Sequence, residues 1–121
     1  MAQERHPLRG EIWFVQLPTD PPEKGLRPVV IVSLDVRNRH PKASTVLVAP
    51  LTTTQKNVPT HIHLAPGETG LKEGSSVRGE DVSVVLKTSL REPREKLRTL
   101  SNAKICEVAD AVRIAMGCPA K

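Results

Sequence analysis

One stretch of this chain has helical periodicity, and proline and glycine cut everything before it into short apolar runs. Between residues 102 and 116 the apolar residues that recur at helical spacing are Ile105, Val108, Ala109, Val112, Ala115 and Met116. Ser101 precedes this run as an N-cap, Gly117 stands at its end and Pro119 lies beyond it. We therefore predict one amphipathic helix, from Asn102 to Met116, after a series of short strands.

The apolar runs before the helix predict at least five strands. They are short, bounded by turn residues and mostly β-branched, and they span residues 11–17, 29–34, 45–51, 60–64 and 76–86. The second and third runs are apolar almost throughout, which is typical of central strands covered on both faces. Gly79 interrupts the last run and suits a bulge or a sharp bend. Short strands followed by one helix predict a mostly antiparallel small barrel with the helix packed across it.

The polar segments between these runs predict connections. Residues 18–26 contain three prolines and Gly25, so we predict a loop that is long enough to cover a site. We predict a basic loop at 35–42, a glycine-rich connector at 65–74 and a solvated turn of mixed charge at 91–96. With 121 residues and no internal repeat, residues 1–121 are predicted to form a single domain.

Composition narrows the classes of function. Eighteen Lys and Arg against thirteen Asp and Glu give a net charge of +5, which favours a nucleic-acid partner without deciding for it. Trp13 and Phe14 are the only large rings, so base stacking on aromatic platforms is a poor candidate mechanism. Cys106 and Cys118 suit neither a disulfide framework nor a zinc site, which indicates reduced thiols in a cytoplasmic protein. No apolar run has the length of a signal peptide or a membrane span, so no membrane association is expected.

The segment Gly25–Ser33 places an arginine where a polar loop enters a strand that is predicted to be buried. Pro28 biases the residue before it toward extended backbone, so Arg27 is held at a defined position. Its guanidinium is permanently charged and forked, and it matches a phosphate or a carboxylate. A salt bridge that closes the sheet edge is the alternative role, and these residues alone support both equally.

His61 and His63 stand two apart on a predicted strand and therefore share one face. An acid–base pair or a metal site is one interpretation of this spacing. Because a third ligand at a diagnostic spacing is missing, we favour an ordinary surface pair and predict no metal.

Nearly the whole chain resembles the MazF/PemK family of toxin endoribonucleases. The matching segments, in order, are RGEIW at 9–13, GLRPVVIV at 25–32, VLVAPLT at 46–52, PTH at 59–61, GLKEGSSV at 70–77 and the helix that ends in Met116 and Gly117. The resemblance implies an SH3-like antiparallel barrel of the MazF/PemK/CcdB type that pairs into homodimers. It also implies cleavage of single-stranded RNA at short sequence motifs without a metal or other cofactor, restrained by a cognate antitoxin protein.

The same resemblance assigns roles to individual residues. The family's catalytic arginine corresponds to Arg27 and its catalytic threonine to Thr52, with Thr53 as the alternative threonine. By their charge, Arg37, Arg39 and Lys56 in loops flanking the proposed site are candidates to follow an RNA backbone, and a solvated surface is their alternative role. Glu23 and Thr53 are further candidates near the site. The family's acidic or amide positions correspond to Glu80 and Asp81. The last two are carboxylates where the family often has an amide, and a carboxylate near a phosphate would repel it.

RNA carries its own nucleophile, the 2′-hydroxyl, so an enzyme needs mainly to align it, remove its proton and stabilise charge at phosphorus. Arg27 can hold two phosphate oxygens, and Thr52 can donate its hydroxyl to them. No residue stands out as the general base; Glu23 is a candidate, and a solvated loop glutamate is its alternative role. Two rival functions stay open: a toxin of the same fold that traps a topoisomerase, and a degenerate member that binds RNA or an antitoxin without turnover.

Overall fold

The computed structural model describes residues 5–118, which fold into an antiparallel sheet that carries one long helix. The strands are β1 (Ile12–Val15), β2 (Arg27–Ile31), β3 (Thr45–Thr52), β4 (His61–Leu64), β5 (Ser75–Arg78) and β6 (Ser83–Leu86). The helices are α1 (Asp35–Asn38) and α2 (Pro66–Thr69), each about one turn long, and α3 (Asn102–Ala115). Short 3-10 turns span Pro22–Lys24, Gly79–Asp81 and Lys87–Ser89. None of the helices in this part of the chain is long and apolar enough to cross a membrane.

Strand β3 is the centre of the sheet because it pairs with three other strands. β2 pairs with it along one edge, while β6 pairs with its first half and β5 with its last two residues. β1 extends the sheet beyond β2, and β4 extends it beyond β5, always antiparallel. A mostly antiparallel sheet with a C-terminal helix confirms the predicted fold class. Within residues 5–118 the named strands do not pair into a closed barrel, because β1 and β4 are the two ends of the strand order.

Alternating side chains divide the core between the two faces of the sheet. Ile12, Val30 and Ala49 lie on the face that α3 covers, where they pack with Ile105 and Val108. The other face holds the second cluster, which consists of Trp13, Val15, Leu17, Val29, Ile31, Val46, Val48, Val85 and Leu90. The predicted alternation in the first strand is therefore confirmed, and so is the coverage of β2 and β3 on both faces.

Helix α3 has the predicted bounds within one residue. The hydroxyl of Ser101 accepts a hydrogen bond from the amide of Lys104 at 3.2 Å, and Gly117 follows the helix at φ +79°. Pro119 lies outside the described residues. The predicted apolar stripe is only partly buried: Ile105, Val108 and Ala111 face the sheet, whereas Ala109, Ala115 and Met116 are exposed.

Helix α3 packs against the 3-10 turn Gly79–Asp81 through Ala111. An added Cβ at Gly79 would lie 2.6 Å from the Cβ of Ala111, so the helix makes a close approach to the 3-10 turn at that point. The predicted sharp bend at Gly79 is confirmed, and the missing side chain is what lets α3 lie so close.

The prediction of a loop at 35–42 is wrong at its beginning, where α1 forms. Asn38 is fully buried, and its side-chain amide donates to the carbonyl of Ser33 at 3.0 Å. The hydroxyl of Ser33 also donates to the Oδ1 atom of Asn38, at 2.5 Å. These buried polar contacts stabilise one helical turn, and they explain why β2 ends at Ile31, before the predicted limit at residue 34. Apolar periodicity does not report such contacts.

The segment 91–96 is mostly exposed, as predicted, but its first residue is bonded to β1. The amide of Phe14 donates to the carbonyl of Arg91 at 2.9 Å, and the amide of Arg91 donates back at 2.8 Å. This bridge holds the beginning of the segment against the outer edge of β1. The segment therefore becomes part of the surface that surrounds the end of the sheet.

Candidate functional site

Arg27 and Thr52 lie at the same end of the sheet, on neighbouring strands. The antiparallel pairing of β2 with β3 ends at Val29 opposite Pro50, and beyond it β3 pairs with β5 through Leu51 and Thr52. The Arg27 guanidinium still reaches the carbonyl of Leu51, at 3.1 Å. Two residues that are 25 positions apart in the chain are thus brought within reach of one small ligand.

The Arg27 guanidinium is held by two anchors. Its Nη1 atom lies 3.3 Å and 3.4 Å from the two carboxylate oxygens of Asp20, and its Nη2 atom donates to the carbonyl of Leu51 at 3.1 Å. The ion pair that was the alternative role therefore exists, with a loop aspartate as partner. The second anchor is the carbonyl of the residue immediately before Thr52, so the ion pair does not draw the guanidinium away from the threonine.

Thr52 ends β3 with its hydroxyl in a local turn. The Oγ1 atom accepts a hydrogen bond from the amide of Thr54 at 3.2 Å. A hydroxyl has one hydrogen to donate besides its acceptor lone pairs, so this contact leaves the donor free. The turn orients the hydroxyl without using the hydrogen that a phosphate oxygen would need.

An open groove of about 1080 Å³ lies beside this strand end. Its lining includes Phe14, Pro28 and Leu51, which continue the sheet face that α3 covers farther along. Thr52 and Thr53 lie along its edge, and the remaining lining comes mainly from residues 70–75 and 91–97. Arg27 is not one of the lining residues, although its neighbours Leu26 and Pro28 are. Arg27 shares the opposite face of β2 with Val29 and Ile31, so its two chain neighbours border the groove and its guanidinium lies behind the strand end.

The charged residues of the groove differ from those that the sequence indicated. Lys72, Arg91 and Arg94 line it, together with three glutamates at 73, 92 and 95. Glu92 accepts a hydrogen bond from Arg5 at 2.6 Å, which neutralises one of these carboxylates. In the sequence, this side of the groove corresponds to the matching segment 70–77 and to the mixed-charge run after residue 90.

Within one chain the structure does not bring Arg37 and Arg39 together with Arg27 and Thr52. Arg37 lies on α1 and donates to the hydroxyl of Thr45, at the opposite end of β3 from Thr52. For this eight-residue strand, a rise of about 3.3 Å per residue puts the two ends about 23 Å apart. Arg39 follows the same helix and is exposed.

Two other predicted residues stay near the proposed site. Lys56 is exposed in the segment that follows Thr52, and its carbonyl accepts a hydrogen bond from His63. Glu23 is exposed on the 3-10 turn Pro22–Lys24, three residues after Asp20. Both positions are compatible with contacts to a ligand at this end of the sheet.

Glu80 and Asp81 lie on the 3-10 turn after β5 and are not lining residues of the groove. Glu80 pairs with the Nε2 atom of His61 at 3.2 Å and with Arg78 at 3.6 Å, while Asp81 pairs with Arg78 at 3.1 Å. Burial raises the pKa of Glu80, but hydrogen bonds from Thr60, from His61 and from its own backbone outweigh this and lower that pKa to about 2. These carboxylates form a local charge cluster.

The two histidines do not act together in this structure. The buried ring of His61 faces Glu80, whereas exposed His63 contacts the side chain of Gln55 at 3.1 Å and the carbonyl of Lys56 at 3.0 Å. Across residues 5–118 no three His, Cys, Asp or Glu side chains come together as a metal site would require. The expectation that His61 and His63 form an ordinary surface pair is wrong, since His61 is only 7 % exposed.

Comparison with known proteins places the chain in a family. The model of PemK-like, MazF-like toxins of type II toxin–antitoxin systems matches residues 8–116. The chain belongs to this family. The match spans β1 to β6 and nearly all of the described chain, so it includes Arg27, Thr52 and both sides of the groove.

Individual relatives of this PemK/MazF chain agree with that assignment. An endoribonuclease MazF of Staphylococcus saprophyticus is 33% identical over 113 residues, which cover 90% of each chain. A probable endoribonuclease MazF5 of Mycobacterium tuberculosis is 30% identical over 112 residues, covering 93% of this chain and 94% of the relative. A mycobacterial endoribonuclease solved in complex with its cognate antitoxin has a TM-score of 0.73 at 28% identity, covering 95% of this chain and 99% of that one.

For this PemK/MazF chain, the charge cluster gives a prediction about pH. Because the pKa of Glu80 falls from 4.5 to about 2 on folding, its charge stabilises the fold above pH 4.5, and this stabilisation is lost as the pH falls toward 2. Glu80→Gln should therefore lower the free energy of unfolding at pH 7 by less than about 1 kcal/mol, since the carboxylate is largely solvated. The loss should shrink below pH 4.5.

Urea unfolding of the wild type and the variant at several pH values measures this difference. Glu107→Gln is a matched control, because Glu107 is exposed on α3 and should change the stability little at any pH. A Glu80→Gln loss that is as large at pH 2.5 as at pH 7 would contradict the prediction.

Proposed function

We propose that this chain is the toxin of a toxin–antitoxin system and a sequence-specific endoribonuclease that cuts single-stranded RNA. Membership of the PemK/MazF family supports this, as do relatives named as endoribonucleases that cover at least 90% of the chain. The observation that carries the mechanism is the hydrogen bond from Arg27 to the carbonyl of Leu51, the residue before Thr52, which lines an open groove. A topoisomerase trap would need no such pair.

In the proposed reaction the ribose 2′-oxygen attacks the adjacent phosphorus. A new bond from that oxygen to phosphorus forms, and the bond to the 5′-oxygen breaks. The leaving 5′-oxygen takes a proton from solvent, so the products are a 2′,3′-cyclic phosphate and a 5′-hydroxyl. Arg27 donates to the non-bridging oxygens, and its hold tightens as negative charge develops on them. Thr52 donates its free hydroxyl hydrogen to the same oxygens. For the 2′-hydroxyl proton, Glu23 stays the candidate acceptor.

The proposed partners follow from the same site. Single-stranded RNA would lie in the groove with its phosphates near Lys72, Arg91 and Arg94, and Thr53 and Lys56 would contact the strand near the cut. A cognate antitoxin protein would cover this groove and block it. We further propose a single domain that forms a homodimer and acts in the cytoplasm, where its RNA substrate is found.

Purified protein incubated with RNA in the presence of a chelator tests the proposal. We expect short products with 2′,3′-cyclic phosphate and 5′-hydroxyl ends, and sequencing of these ends should reveal one short motif. The cognate antitoxin should suppress the cleavage. RNA that stays intact while the protein binds a topoisomerase tightly would support the trapping toxin and overturn the proposal.

The threonine assignment gives a separate prediction. Thr52→Val removes the donor and should slow single-turnover RNA cleavage by about a hundredfold, which is typical for one preorganised donor. Thr52→Ser keeps the hydroxyl and should retain most of the rate. The comparison variant is Thr53→Val: if it shows the large loss and Thr52→Val does not, the catalytic threonine is Thr53.

A further inference from the structure

Asp20 is the partner of Arg27, and no motif or spacing in the sequence assigns a role to it. Both of its carboxylate oxygens lie within 3.4 Å of the Nη1 atom of Arg27, and its side chain is only 11% exposed. The carbonyl of Leu51 holds the Nη2 atom from another direction. Two anchors on different nitrogens restrict the orientation of the guanidinium plane, which a single ion pair on a flexible side chain does not.

The loop keeps Asp20 itself in place. Its amide donates to the carbonyl of Leu17 at 3.1 Å, and Leu17 is buried in the core cluster that includes Val15 and Val29. The prolines at 21 and 22 follow directly and restrict the backbone after the aspartate. The carboxylate therefore sits on a short turn tied to the core.

The remaining donors of Arg27 have no hydrogen-bond partner in the part of the chain that the structure describes. A guanidinium has five N–H groups, and Asp20 contacts only Nη1 while Leu51 takes one hydrogen of Nη2. Among the contacts of residues 5–118, none uses the Nε hydrogen of Arg27. Nε and Nη2 together can supply donors to one phosphate.

We propose that Asp20 is a positioning residue, which orients Arg27 so that its Nε and Nη2 donors meet the scissile phosphate beside Thr52. The inference rests on the proposed RNA cleavage. A carboxylate next to the arginine also weakens its attraction for a phosphate. If Asp20 mainly positions Arg27, removing the carboxylate should slow cleavage; if it mainly competes with the phosphate, removing it should speed cleavage.

Removing the charge while keeping the shape separates these two effects. Asp20→Asn should slow single-turnover cleavage by about ten- to hundredfold, because small losses of alignment in an active site have effects of this size. RNA binding should be unchanged or tighter, since a negative charge is removed near the phosphate. Asp20→Glu keeps the carboxylate and should recover part of the lost rate.

A double-mutant comparison distinguishes positioning from a general structural defect. The variants are Arg27→Ala, Asp20→Asn and the two combined, and the combined variant should cleave no more slowly than Arg27→Ala alone. Asp110→Asn is the matched control, because Asp110 pairs with Arg113 on the exposed face of α3 and its loss should leave cleavage unchanged. Thermal unfolding of each variant checks that all of them fold.

A second measurement needs no activity. In NMR spectra the side-chain N–H groups of Arg27 should give separate, slowly exchanging signals in the wild type and averaged signals in Asp20→Asn. Cleavage by Asp20→Asn that equals or exceeds the wild-type rate would overturn the inference, as would an equal slowing in the Arg27→Ala background or unchanged NMR signals. RNA left intact by the wild type would instead refute the proposed function, and the NMR comparison would still decide whether Asp20 orients Arg27.

Discussion

Replacing the 2′-hydroxyl by hydrogen at the one nucleotide before the cut should abolish cleavage of an otherwise identical RNA. The proposed reaction uses that oxygen as the nucleophile, and no residue at the strand end replaces it. Intramolecular nucleophiles typically have an advantage of at least about 10⁵-fold over an external one, so the residual rate should fall to the uncatalysed level. Single-turnover assays on synthetic oligonucleotides that contain the sequenced motif measure the loss.

The matched control carries the same substitution one nucleotide farther from the cut. Its cleavage should stay within a few-fold of unmodified RNA, because the ribose there does not react. Efficient cutting of the substituted site, or of DNA with the same sequence, would refute attack by the 2′-oxygen.

Arg27→Ala should reduce RNA cleavage in chelator by about a thousandfold. The variant loses the donors that stabilise the developing charge on the phosphate, and removal of one such preorganised group typically has an effect of a hundredfold to a thousandfold. We expect the loss for Arg27→Ala to be at the upper end of that range, because the positive charge and the two parallel N–H donors of the guanidinium both act on the phosphate. Single-turnover rates at saturating protein measure the loss directly.

A second variant separates catalysis from stability. Arg27→Ala also leaves the buried carboxylate of Asp20 without a partner, which is unfavourable for folding. Arg27→Lys keeps a positive charge near Asp20 but loses the fork, so it should fold well and still cleave slowly. Arg113→Ala, an arginine of the exposed pair with Asp110, is the control and should leave cleavage unchanged. Wild-type rates in Arg27→Lys would contradict the proposed role.

The sequence predicted the elements that local patterns encode. The alternation of side chains in β1 and the apolar runs of β2 and β3 indicate strands that are buried on one or both faces. These patterns predicted the bounds of the three strands to within a few residues. The N-cap Ser101 and the stop at Gly117 defined α3 in the same way. Arg27 and Thr52 could be identified from the sequence because each stands at the end of a strong strand pattern and within a matching family segment.

Other parts of the site carry no local pattern. α1 forms through the buried contacts of Asn38 with Ser33, and a polar residue in a polar segment gives no periodic signal. The wall at 91–97 depends on a bridge between Phe14 and Arg91, which are far apart in the chain. The basic residues at 37 and 39 looked suitable by charge, but the antiparallel path of β3 puts them at the wrong end.

The amino-acid sequence by itself determined which segments become strands or helix and which two side chains stand at the strand ends, because periodicity, caps and turn residues act between near neighbours. Only the tertiary structure decided that Arg27 bonds to the residue before Thr52, that Asp20 holds the guanidinium, and that a groove forms where α3 leaves the end of its own sheet face uncovered. These features depend on strand register and on the paths of loops across the sheet. Both are set by how the whole core packs, so no short segment contains them.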